Sequence, residues 1–527
     1  DSFIYLKQLL KTCNQVNGHA VRPFVVFLYV VSRTGYLTDE EFTYLLPLCI
    51  DRAATEKITG RILDGRAEGR TDYKAVILSM LMDMDVYDRA LQRLQKAAAV
   101  TEELISEISM NRKSARYTRP YYKIYHILKR MVFEREEVWG EAAVRLYDAT
   151  RELTNAKVGG RWRKYFFGSR RRPAILREGM GALNPVSMLK APDTETFNRE
   201  FFELLHLIKA EATLSDYFDL NRRYFRITDT VLFEDGRVRL DILPRCYVDL
   251  IGEKLLDFAF EGTDLLEREV ELEEIHPSLK IDVRRLYERL EAVIGKPVTN
   301  KSSANQVIRD ERYGRFNRLI DERFDRDTLI RLLHHFEERN DGEIRRLVTD
   351  NADIPTIFEY ILGVAWYVIS GREGDVLEYM NLSLEADLLP RTHAGGGEAD
   401  IVWEYEAGEY PEHTLLIEAT LADKTNQRRM EMEPVSRHLG DYRLANPGRN
   451  AYCIFITTSL NMNVISDFRA RKTMEYYDQA GTKSINGMKI LPVQTSELIG
   501  LLEREAVYSE IYQMFEKAYF SDEAPKE

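Results

Sequence analysis

Residues 414–421 read TLLIEATL, an apolar run with one carboxylate, Glu418, inside it. A carboxylate among aliphatic side chains is costly to bury unless it is paired, protonated or bound to a cation. Whatever fold the chain adopts must therefore bring a compensating group to Glu418. The surrounding residues predict strands and helices in alternation: a glycine bend at 395–397, a strand over 399–405 with Asp400 at its start, a polar turn AGEYPEH, a strand over 414–420, a helix over 426–439 interrupted near Pro434, and an apolar strand over 451–458. Cross-strand neighbours in a hairpin lie about 5 Å apart, so Asp400 and Glu418 are expected to converge at one sheet end. Paired carboxylates suit Mg²⁺, a hard cation that prefers oxygen ligands. Glu431 or Glu433, from the helix that follows, would add a third ligand or orient a water. By spacing alone the same residues also fit ordinary carboxylates at strand ends. His393 and His438 read as structural.

At 527 residues the chain exceeds one core of ordinary size. Its first 150 residues read as helices, with an amphipathic run at 24–31 and a helix opening at Thr38-Asp39-Glu40-Glu41, an N-cap followed by acidic first-turn residues. Such short helical modules suit helix-turn-helix or winged-helix folds. A charged helix over 278–294 leads into GKPVTNKSSANQ, a predicted linker, after which helices are expected at 326–350 and 355–371 before the strand–helix alternation, which argues a layered α/β fold. Four cysteines without CxxC spacing exclude a zinc ribbon, a redox motif and a disulfide framework, and point to a reducing cytoplasm. No apolar run is long enough to span a bilayer, and no phosphate-binding loop, HExxH helix or GxSxG elbow is present. The chain opens on Asp1 rather than Met, so residues upstream of it are expected.

A formal net charge of −12 does not advertise a nucleic-acid binder, but the charge is unevenly spread. Residues 111–130, NRKSARYTRPYYKIYHILKR, interleave Arg112, Lys113, Arg116 and Arg119 with tyrosines. A second basic run, 157–177, carries Arg161, Arg163 and Lys164 among Trp162, Tyr165, Phe166 and Phe167. Both can grip phosphates, and both also fit solvated faces with buried stems. Residues 219–245 alternate like strands around a turn at Glu234-Asp235-Gly236, which would set Arg222, Arg223 and Arg237 along a wing.

The runs NADIPTIFEYILGVAWY and MNLSLEADLLPRTHAGGGEADIVWEYE, followed by LLIEATL and RRMEMEPVSRHLG, resemble the AlwI family of type IIS restriction endonucleases over about the last 220 residues, with a looser match before them. The resemblance implies a FokI-like plan in a bacterial cytoplasmic protein. Winged-helix-like DNA-binding domains (1–150 and 151–255) would read a short asymmetric duplex site. A helical linker (256–307) would carry a restriction-endonuclease-like α/β domain, a variant of the PD-(D/E)xK type (308–527), that cuts a few base pairs outside the site. It implies Asp400, Glu418 and Glu431 as metal ligands and catalytic acids, Glu359 as the acid of the preceding helix, and Mg²⁺, with Mn²⁺ as a substitute. The expected partners are double-stranded DNA and either a second copy of the nuclease domain or a small nuclease subunit; a strand-specific nicking enzyme, the large subunit of a heterodimer and a catalytically silent DNA-binding protein are the alternatives. The usual strand lysine is missing: Thr420 stands in its position, and Lys424 reads as loop. Glu431 is expected to take over part of its function.

Overall fold

The computed structural model describes residues 2–110, 115–134, 139–153, 156–234, 236–393, 397 and 399–521. The protein is mostly helical, with several small sheets. It divides into two compact units, Asp1–Gly295 and Lys296–Glu527. No helix among the described residues is long and apolar enough to cross a membrane.

The first unit is built on two hydrophobic cores that share one helix. Thr194–Arg226 runs for 33 residues. Phe197, Phe201, Leu205 and Ala212 enter a helical core with Tyr125, Trp162 and Phe166, while Phe225 enters the other, with Phe24, Phe27 and Phe42. That second core also takes in Phe258, Ile275 and Leu279. The expected helix after Thr38 is Asp39–Tyr44: Thr38 accepts from the Glu41 amide and Glu41 accepts from the Thr38 amide, a reciprocal cap. Val231–Glu234 and Arg237–Leu240 form a hairpin, and Leu37–Thr38 pairs with Arg237–Leu240 to complete a three-stranded sheet. The strand-like reading of 219–226 is corrected: those residues end the long helix. Leu214, Phe218 and Phe225 recur on one helical face that packs into the core, and this burial outweighs the local alternation. Asp235, in the expected hairpin turn, lies outside the described residues.

The second unit opens with Lys301–Arg323, capped by Asn300, so the sequence expected as linker already begins a helix. Its centre is a four-stranded sheet in the order Ile490–Gln494, Ala451–Thr457, His413–Thr420, Ile401–Tyr405. The first three are mutually parallel and the last is antiparallel to its neighbour. Side chains alternate between two cores. Leu415, Ile417, Ile454 and Ile456 pack with the helix Ile354–Ile369, whereas Leu416, Cys453 and Phe455 pack with Val435 and Leu439 of the helix Met432–Ala445. Helices therefore cover both faces, and the central strands carry near-continuous apolar sequence for that reason. The helix expected over 426–439 is two, Lys424–Met430 and Met432–Ala445. The break falls at Glu431, and Pro434 sits in the first turn of the second helix, where its missing N–H is harmless. Lys424 thus opens a helix rather than lying in a loop.

Candidate active site

The register of the antiparallel pair sets Ile401 opposite Ile417; continued by one residue, it sets Asp400 opposite Glu418. Asp400 is held on both sides, its backbone carbonyl accepting from the Asn381 amide (2.8 Å) and its Oδ2 from the Ala419 amide (2.8 Å). Glu359 comes from the helix Ile354–Ile369, whose Asp353 cap fixes its first turn. Glu431 is fixed by Thr420, whose hydroxyl donates to Oε1 at 2.7 Å. Thr420, expected to stand where a strand lysine is usual, thus orients Glu431. Glu433 is exposed and pairs with Arg437 (3.1 Å), which removes it from the cluster.

Burial and like charge together raise these carboxyls. Burial, then the carboxylates of Asp400, Asp353 and Glu418, push Glu359 up to about 8. Its Oε2 is buried with no hydrogen-bond partner among the described residues. Burial and Glu418 push Asp400 up to about 7, against the opposing Ala419 amide and His438. Glu418 and Glu431 are raised by burial and held back by hydrogen bonds from His438 and Thr420 respectively. Asp400, Glu418 and Glu359 thus gather buried at the end of the sheet, where burial and like charge favour their neutral forms, with Glu431 raised beside them by burial.

His438, read from sequence as structural, lies at the centre of this arrangement. Its Nδ1 donates to Glu418 Oε1 at 2.7 Å, both side chains are nearly buried, and the bond raises the imidazole pKa. The available signal was its spacing of seven from Glu431, two helical turns along one face. Gln427 was missed as well: fully buried, it donates to Thr457 Oγ1 (2.9 Å) and accepts from the Asn461 amide (3.1 Å), tying the helix after the Glu418 strand to the neighbouring strand end. His393 lies on the strand Pro390–His393 and is exposed. Among the described residues no group of three or more His, Cys, Asp or Glu side chains stands close enough to hold a metal ion. The acids are gathered without being closed around one point.

The basic residues meet different fates. Arg112 and Lys113 lie outside the described residues, and Arg116 belongs to the helix Ala115–Phe133, on which Arg119 is exposed. Arg161 is turned inward to Glu211 (3.2 Å) and the Tyr44 hydroxyl (3.3 Å). Arg163 donates to the Thr150 carbonyl at 3.3 Å, and Lys164 is exposed. Arg222 and Arg223 stand on the long helix rather than on a strand. Arg237 is on the hairpin, exposed and over the Tyr36 ring at 4.6 Å. Of the remaining cations in the two runs, Lys123 pairs with Glu152 (2.7 Å) and Arg172 with Asp148 (2.9 Å). The four cysteines are free thiols.

The model of the AlwI restriction endonuclease family matches residues 1–501. No curated protein matches the chain. Among solved structures, the small subunit of the heterodimeric restriction endonuclease R.BspD6I matches with 20% identity over 37% of this chain and 90% of that one, at a TM-score of 0.26.

Proposed function

Because the chain belongs to the AlwI restriction endonuclease family, and is thereby a site-specific deoxyribonuclease, we propose that Asp400, Glu418, Glu431 and Glu359 form its phosphodiester-cleaving centre. The observation that carries this reading is the gathering of buried carboxyls at one sheet end: strand register sets Asp400 opposite Glu418, Thr420 holds Glu431, and a buried Glu359 oxygen has no hydrogen-bond partner among the described residues. An all-oxygen donor set fits a hard divalent cation, so Asp400, Glu418 and Glu431, drawn closer together than they stand without it, would hold Mg²⁺, or Mn²⁺ in its place. Bound there, the ion would acidify a water and screen charge developing on the phosphate.

The chain's own groups divide the remaining work. Thr420 fixes the direction of Glu431, which takes on the water-orienting part of the missing strand lysine. His438 opposes the burial that raises Glu418 and keeps that carboxyl aimed, an outer partner of the kind that tunes metal-binding carboxylates. Glu359, protonated near neutral pH without a cation, releases its proton when positive charge enters the cluster.

We further propose a type IIS plan, in which residues 1–295 read a short asymmetric duplex and residues 296–527 cut a few base pairs away. The fold class of each part is likewise proposed: winged-helix modules in the first, supported by the small sheet with its Arg237 hairpin, and a PD-(D/E)xK variant in the second, supported by the mixed sheet with acids at its end. One carboxylate cluster cuts one strand at a time, so a double-strand break calls for a second nuclease domain, from another copy or a small subunit, and a nicking enzyme is the alternative. Run-off sequencing of both strands of a plasmid digested with Mg²⁺ tests the plan: cuts at a fixed offset from one asymmetric sequence are expected, and cuts inside a palindrome would overturn it.

A further inference from the structure

At the opposite end of the central sheet from the carboxylates lies a cleft of about 810 Å³. The parallel strands Ala451–Thr457 and Ile490–Gln494 begin at it, whereas Glu418 and Thr420 stand where the neighbouring parallel strand ends. Arg443, Arg449, Lys483 and Lys489 line it together with amides such as Asn446 and Asn486, and among the described residues no carboxylate lines it. In a chain of net charge −12 this is a concentrated patch of donors.

Among the described residues the two arginines are incompletely matched. Arg449 faces Glu404 and Glu412 only at 3.7 and 3.8 Å, and its buried Nε has no acceptor among the described residues. Lys489 lies 3.5 Å from Glu516, with the Tyr452 hydroxyl nearer at 2.8 Å. Arg443 donates to the Gly487 carbonyl, a neutral partner. Burial lowers the pKa of both Arg443 and Lys489, whereas Arg172, bonded to Asp148, is raised. Partly desolvated cations with spare donors gain from an anion, and a guanidinium fork suits phosphate oxygens above other groups.

We propose that this cleft binds phosphate groups, and that they come from the backbone of the bound DNA away from the bond being cut. The cleft and the carboxylate centre share the sheet as a rigid spacer, so a duplex held at one end is kept in register with the other. The DNA source rests on the nuclease reading above; phosphate binding does not.

The test uses the full chain and Lys483→Glu, a change at an exposed side chain, in metal-free buffer. Two titrations are made: inorganic pyrophosphate by calorimetry, and a site-free duplex across a salt series. The expected result is pyrophosphate binding weakened at least tenfold in the variant, with the slope of log Kd against log salt reduced by about 1, the change for one lost phosphate contact. Weakened pyrophosphate binding with an unchanged slope would overturn the DNA source and assign the cleft to a free phosphate compound. No pyrophosphate binding to the wild-type chain, together with an unchanged slope in the variant, would overturn the proposal. If Lys483→Glu melts lower than wild type, Lys483→Gln decides by the same readings. Plasmid cleavage by the same proteins separates the two claims: a wild type inactive with Mg²⁺ counts against the nuclease reading, while the pyrophosphate result stands by itself.

Discussion

Replacing Asp400 by Asn should stabilise the metal-free protein while destroying its activity. The carboxyl rises from its ordinary 3.8 to about 7, mainly through burial and the Glu418 charge. Below pH 3.8 it keeps its proton both folded and unfolded, and contributes nothing. Between 3.8 and about 7 the unfolded chain has released the proton while the folded chain retains it, so stability falls as pH rises, and the full penalty persists above that window. At about 1.4 kcal/mol per pKa unit, the difference of about 3 units between those values sets a ceiling of about 4 kcal/mol. Glu359 and Glu418 share the repulsion, so about 1–3 kcal/mol is the expected return for one substitution. Asn retains an oxygen for the Ala419 amide, leaving the backbone contact intact. Thermal unfolding in EDTA reads the effect, at about 2–4 °C per kcal/mol for a unit of this size. Asp400→Asn should melt higher than wild type at pH 8.5, and the gap should narrow towards pH 5. Mg²⁺ should then raise the wild-type midpoint and leave the variant unmoved. A variant that melts no higher than wild type at pH 8.5 would refute the electrostatic reasoning.

Three further outcomes are expected. His438→Leu should lower the cleavage rate by about 10–100-fold and shift its pH profile, with His438→Asn, which keeps a donor for Glu418, losing less; equal losses would show that the bond to Glu418 is incidental. A fragment ending at Gly295, which carries its own two cores, should bind the specific duplex with affinity falling steeply as salt rises; site preference in the complementary fragment instead would reverse the division of labour. On a supercoiled plasmid with one site, nicked circle should appear before linear product, and the linear form should rise more steeply than enzyme concentration if two nuclease domains pair. Persistent nicking of the same strand at every concentration would identify a nicking enzyme or a subunit awaiting its partner.

What could be read from the sequence was whatever is encoded locally. The apolar runs at 413–420 and 451–457 could only be buried strands, and Glu418 inside the first demanded company, so the meeting with Asp400 followed from strand register. The Thr38 cap was legible for the same reason, since its partner is three residues away. Tertiary choices were not legible. Residues 219–226 alternate like a strand, yet they extend a helix because Phe218 and Phe225 reach a core assembled from residues nearly 200 positions earlier. The basic runs fit phosphate contacts and solvated faces alike, and which cations are spent inside the fold was not legible: Arg161 is claimed by Glu211 and Lys123 by Glu152, carboxylates that nothing in their own neighbourhood announces. His438 was passed over because its role depends on a strand residue 20 positions back.

The most direct test of the central claim is cleavage by Glu418→Ala beside its binding to the specific duplex, both measured with Mg²⁺ and with EDTA. Loss of cutting to background is expected, with specific binding retained within a few-fold, and the same pattern for wild type in EDTA. A Glu418→Ala protein that cuts at near wild-type rate, or a wild type that cuts fully in EDTA, would contradict that claim.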